Sequence, residues 1–212
     1  AIMIYGFIAA VLPVWLLLTP RDYLSTFLKI GTIVALAIGI VIVSPTLHMP
    51  AVTKFIDGTG PVFSGSLFPF LFITIACGAV SGFHALISSG TTPKMVENET
   101  HVRMIGYGGM IMESFVAIMA LAAASSLDPG VYFAMNSPAA LIGTDAANAA
   151  QVITDKIGFP VTEAALLDMA KNVGENTILS RAGGAPTLAV GMANIMSQLI
   201  AGEGMMAFWY HF

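Results

Sequence analysis

The chain alternates long apolar stretches with short polar ones, and the apolar stretches run to about 20 residues, the length an α-helix needs to cross roughly 30 Å of hydrocarbon. Residues 1–19 carry no charge and end at Thr19-Pro20-Arg21-Asp22, where Pro20 is expected to punctuate the first span. Residues 24–43 hold a single charge, Lys29, about a turn from the expected start, where its stem can lie along the helix while the ammonium reaches the headgroups. A stretch with Pro45, Pro50, Gly58, Gly60, Pro61 and Gly65 breaks too often for a long helix, so 44–66 is expected to be an extramembrane loop. A third span is expected at 67–90 and a fourth at 104–126, whose only charge, Glu113, lies near its middle.

Beyond residue 126 the pattern changes. Residues 127–203 are expected to form an extracytoplasmic helical segment, polar enough for water as far as about 181, with helix starts at Ser137-Pro138 and Thr162-Glu163. Within it the charge-free run 182–202 is weakened as a span by Gly183, Gly184, Pro186, Asn194, Ser197 and Gln198, and is expected to lie at the interface or insert partly. Residues 204–212 would begin a further span. Both chain ends are expected to be cuts through a longer protein, and residues 1–18 lack the positively charged start of a signal peptide. Short loops on the cytoplasmic side carry the excess of Lys and Arg. Arg21 and Lys29 flank the first turn, Lys94 and Arg103 the third, and only Lys54 lies in the second. That bias places loops 20–23 and 91–103 inside, and 44–66 and 127–203 outside.

Composition strengthens the membrane reading: with 57% apolar residues, 9% charged residues and a mean hydropathy of +0.85, the chain has too little polar surface for a soluble domain. The expected fold class is therefore an all-α integral membrane protein, a multi-span helical bundle in a lipid bilayer. A net charge of -4 with no basic face argues against nucleic acid as a partner. The single cysteine, Cys77, can build neither a disulfide nor a CxxC site, and no two histidines share the i, i+4 spacing of a helical metal site. No metal and no cofactor is expected. The sequon Asn98-Glu99-Thr100 falls on the expected inner side and is discounted.

Candidate chemistry lies where apolarity fails at membrane depth. Glycine, serine and threonine crowd Gly78 to Thr92, and two readings compete. One is close helix packing through the GxxxG of Gly78 to Gly82. The other is a discontinuous helix whose unwound backbone faces a solute or ion, tolerated only where it lines protein or a cavity. Ser81, Gly82, Ser88, Ser89 and Thr91 would then supply backbone and hydroxyl contacts to the solute. His84 is an imidazole inside a span and titrates near neutral pH, which suits a proton relay, although a neutral histidine bonded to a carbonyl fits equally well. A charge at the centre of a span costs roughly 2.5–3.5 kcal/mol on insertion scales and normally faces a bundle interior with a partner, which makes Glu113 the second candidate for a coupling proton.

Residues 20–29, Pro-Arg-Asp-Tyr-Leu-Ser-Thr-Phe-Leu-Lys, and the run from Phe68 to Met95 resemble the carbon starvation protein A family of bacterial inner-membrane transporters. So do Gly106-Tyr107-Gly108-Gly109-Met110 with Glu113-Ser114, the stretch Asp128 to Phe133, and Ser180 to Thr187. The resemblance covers nearly the whole chain. It implies a secondary importer of peptides or pyruvate, used during carbon limitation, multi-pass in the inner membrane and completed by further spans of a longer protein. It also implies an inverted-repeat, LeuT-like core in which the third span is a broken helix and 127–203 caps the substrate path. A proton is the expected coupling ion. The rival readings are a membrane sensor that binds the same solutes without transporting them, and an intramembrane enzyme, for which His84 beside serines is the only hint.

Overall fold

A computed structural model describes residues 2–80, 85–200, 202 and 204–212. Every regular element among them is helical. Helix α1 (Ile2–Val11) is followed by α2 (Val14–Val43), a loop with one 3-10 turn (Phe55–Asp57), and α3 (Leu67–Val80). A wide π turn (Ile87–Thr91) leads into the short α4 (Thr92–Met95), and then comes α5 (Thr100–Ser125). The remainder is α6 (Pro129–Asn136), α7 (Ala139–Ile142), α8 (Ala146–Val152) with a π turn (Ile153–Ile157), α9 (Glu163–Val173), α10 (Gly184–Leu199) and α11 (Met205–His211).

The first break falls at Leu12-Pro13 and not at 20–23, which is helical. Pro13 precedes the first turn of α2, where a missing N–H costs nothing, with φ -55° and ψ 140°. Pro20 lies inside α2 and removes one backbone hydrogen bond, but the turn that follows is held by side chains. The hydroxyls of Ser25 and Thr26 both donate to the Asp22 carbonyl at 3.0 and 2.7 Å, and Arg21 Nη1 donates to the Tyr5 hydroxyl at 3.1 Å. One consequence concerns Lys29: it lies near the middle of α2, not a turn from its start.

Among the described residues two helices are long and apolar enough to cross a membrane, Pro20–Val43 (24 residues, mean hydropathy 2.4) and Thr100–Ser125 (26 residues, mean hydropathy 1.6). Both leave most of their apolar side chains uncovered, Phe27, Leu28, Ile38, Ile111 and Ile118 among them. They run parallel, because the backbone N–H groups of His48 and Met49, just past α2, donate to the Ser125 carbonyl at the end of α5 at 2.8 and 3.2 Å. Their C-terminal halves pack in a small cluster of Leu36, Met119 and Ala123, closed by Ile195 of α10.

Residues 127–179 are different. Leu127, Met135, Ile142, Ile153, Leu166 and Ile178 are almost wholly buried in one core. Their helices begin with local caps: the Asp128 carboxylate accepts from the N–H of Gly130 at 2.8 Å, Asp145 from Asn148 at 3.2 Å, and the Thr162 hydroxyl from Ala165 at 3.2 Å. Ser137 does not cap the next helix as its sequence position suggests. Pro138 takes the cap position of α7, and the Ser137 hydroxyl is buried without a partner.

Helix α10 joins the two regions. At 16 residues it is about 24 Å long, short of a full crossing. Val190 belongs to the core of residues 127–179, whereas Ile195 packs against α2 and α5. Gly191 permits this, since a Cβ there would collide with the Ala123 carbonyl of α5. Gly39 of α2 is similarly confined, its hypothetical Cβ lying 3.3 Å from both the Ile195 and Met196 side chains. Within the run 182–202, expected at the interface or partly inserted, Gly184–Leu199 is helical and buries Thr187, Val190, Gly191, Ala193, Ile195 and Met196, with exposed residues at both ends.

Candidate functional site

Helix α3 carries the apolar half of the expected third span as far as Val80. Ser81, Gly82 and His84, three of the expected site residues, lie outside the described residues. Ala85 and Leu86 are helical and lead into the π turn Ile87–Thr91. Such turns are rare and occur often at functional sites, because a wide turn leaves backbone groups free of regular helical bonding. Here two hydroxyls crowd one carbonyl: Ser88 and Ser89 both donate to Ala85 O, at 3.1 and 2.7 Å. Thr91 closes the turn in the backbone.

Ser88 lines an open groove of about 760 Å³ between the π turn with α4 and the start of α5. Its other walls include Thr92, Pro93, Glu97, Glu99 and Gly106. The α5 backbone beside it is bare at Gly106, where a Cβ would meet nothing within 4 Å. The groove therefore joins hydroxyls, two carboxylates and exposed helix backbone. Those are groups able to hold a small polar solute or pair with a cation.

Glu113 is exposed at mid-helix on α5, two turns beyond Gly106, and does not line this groove. The groove thus brings Ser88 together with Glu97 and Glu99 and not with Glu113. Among the described residues, no three His, Cys, Asp or Glu side chains gather where a metal ion would be held.

Several polar residues with clear roles do not stand out in the sequence. Asn136 Nδ2 donates to the Thr187 hydroxyl at 2.8 Å in a buried contact that ties α6 to α10. Arg181 donates twice to Glu175, at 3.2 and 2.8 Å, and once to the Tyr210 hydroxyl at 3.2 Å, which fastens α11 to the segment after α9. That pairing holds the Glu175 carboxyl below its usual range and raises Arg181 above its own. Glu97 and Glu99, which line the groove, also do not stand out. Their only sequence signal is two acids within three positions beside the serine-rich run.

The family model described as carbon starvation protein CstA matches residues 1–212. The peptide transporter CstA of Escherichia coli (strain K12) is 69% identical over 213 residues, covering 98% of this chain and 30% of the relative. The pyruvate/proton symporter BtsT of the same organism is 56% identical over 233 residues, covering 100% of this chain and 32% of the relative. The peptide transporter CstA of Bacillus subtilis (strain 168) is 43% identical over 212 residues, covering 100% and 33%. The chain thus spans about 30% of the length of these relatives. No solved structure matches.

Proposed function

The chain belongs to the carbon starvation protein CstA family, and from that membership we propose that it is part of a secondary importer that brings peptides or pyruvate-like carboxylates into the cell together with protons. The observation that carries the proposal is the pairing of names with likeness: relatives called a peptide transporter and a pyruvate/proton symporter match essentially the whole chain at 69% and 56% identity. Two apolar helices with uncovered faces support a setting in lipid, here the bacterial inner membrane. The rest of the longer protein would supply further spans of a multi-pass, LeuT-like bundle. Residues 127–203 would then cap the outer end of the substrate path.

In this reading the region of Ser81, Gly82, Ser88, Ser89 and Thr91 binds the solute. His84 and Glu113 carry the coupling proton. The widened turn beside an open groove supports the first assignment, and the lone acid midway along an apolar helix supports the second. Uptake of labelled pyruvate and dipeptides into vesicles bearing the full-length protein tests both. Accumulation driven by an imposed pH gradient is expected; uptake indifferent to that gradient removes proton coupling, and binding without flux removes transport. Glu113→Gln is expected to keep solute binding and lose concentrative uptake.

A further inference from the structure

Helices α2 and α5 each carry a stripe of side chains toward the other. On α2 it is Ile33, Leu36, Ile40 and Val43, and on α5 it is Val116, Met119 and Ala123. Followed one turn toward each N-terminus, the α2 stripe arrives at Lys29, four residues before Ile33. The α5 stripe arrives at Glu113, three residues before Val116. Because the helices are parallel, the two positions are level with one another. Lys29 already lines a cleft of about 270 Å³ whose opposite wall is Val116 and Met119.

These are also the only charges available at that depth on these helices. Lys29 is the single charged residue from Tyr23 to Val43, and Glu113 is the single one from Met104 to Ser126. Helix α10, the third wall of the cleft, has none from Gly184 to Leu199. Among the described residues the ion pairs are Arg21 with Asp22 and Arg181 with Glu175; Lys29 and Glu113 are both exposed, stand outside ion-pair distance of each other as well as of any other charge, and of the two only Lys29 lines the cleft. A charge midway along an apolar helix is tolerated when it faces a bundle interior and finds an opposite charge. Packed helix axes lie about 8–10 Å apart, a span that the four-carbon stem of a lysine reaching toward a glutamate can bridge.

We propose that Lys29 and Glu113 form a charge pair across the cleft between α2 and α5, with Lys29 positioning the Glu113 carboxylate and supplying its counter-charge. The pairing rests on the placement of the two stripes. Its use in coupling rests on the proton role proposed for Glu113. When Glu113 takes up a proton the pair loses its attraction, and the N-terminal halves of α2 and α5 are released from each other while their C-terminal halves stay packed through Leu36, Met119 and Ala123.

The experiment is a double-mutant cycle in the full-length protein, read as melting temperature and membrane level, with pH-driven uptake measured on the same variants. Lys29→Met and Glu113→Gln are each expected to lower the melting temperature by about 3 °C or more. The neutral double variant and the swap Lys29→Glu with Glu113→Lys are expected to recover most of that loss. Single effects that simply add in the double variant overturn the pair. If the neutral variants do not accumulate, the swap decides: recovery upholds the pair, and a level no better than the worse single variant overturns it. The two roles separate cleanly. A coupled cycle with pH-driven uptake intact in Glu113→Gln keeps the pair and ends the proton role, whereas an additive cycle with uptake lost does the reverse.

Discussion

Residues 127–179 bury Leu127, Met135, Ile142, Ile153 and Leu166 in a continuous core, yet α2 and α5, which are far more apolar, leave Phe27, Leu28, Ile38, Ile111 and Ile118 uncovered. In water the order would be reversed, because apolar area is driven out of solvent roughly in proportion to its extent. The contrast separates a region that completes its own core from long apolar helices that leave their faces for other surroundings. The first region hides its apolar side chains as a water-soluble domain does and caps its helix ends with Asp128, Asp145 and Thr162. The long helices bury little beyond Leu36, Met119 and Ala123, a pattern that suits lipid and neighbouring helices.

The sharpest way to break this comparison is to remove equal apolar bulk from each region. Ile142→Ala, at a fully buried position, is expected to cost about 2–5 kcal/mol in the full-length protein, whereas Ile118→Ala on the uncovered face of α5 should cost well under 1 kcal/mol. Thermal melting in detergent checks both, and equal losses would mean that the α5 face is covered as tightly as the core. A smaller effect is expected at the joint between regions. Gly191→Ala places a methyl against the Ala123 carbonyl and should cost about 1–3 kcal/mol, separating α10 from α5 while leaving the core of residues 127–179 resistant to proteolysis. Unchanged melting would show that the two regions do not depend on this contact.

The smallest effect concerns pH. Arg181 holds the folded Glu175 carboxyl below its usual range, so the unfolded state binds the proton more readily and stability rises with pH across the carboxylate range. The contribution is fully present above the ordinary glutamate value and is lost as pH falls through the lower, folded one. Glu175→Gln should flatten that part of the stability profile and loosen α11 at Tyr210, as read by hydrogen exchange. A profile unchanged by the substitution would show that the pair does not hold α11.

Much of the fold was legible because its signals are local. The apolar run ending at Val43, the run from Met104 to Ser126 and the helix start at Thr162 each follow from composition or capping within a few residues. Pro20 misled for the same reason: as a local signal it says break, but Tyr5, Asp22 and the hydroxyls of Ser25 and Thr26 support the helix through it. Of the candidate site, the serine-rich turn could be read directly, since Ser88 and Ser89 stand out against apolar neighbours. Its groove could not, because Glu97, Glu99 and Gly106 join it only through the reversal between α4 and α5. Lys29 shows the same limit, since a start placed at residue 24 puts it near a helix end and the continuous α2 puts it at mid-depth.

By itself, then, the sequence determined the membrane-length apolar runs, the helical class and the family, because hydrophobic length, helix period and long motifs are properties of contiguous residues. Only the tertiary structure decided that α10 connects the two regions through Gly191, that Asn136 meets Thr187, and that α2 and α5 pack in parallel through Leu36, Met119 and Ala123. Those facts depend on which helix faces meet and in what direction the chain returns. No local preference encodes that, because the free energy of packing belongs to pairs of residues far apart in the chain.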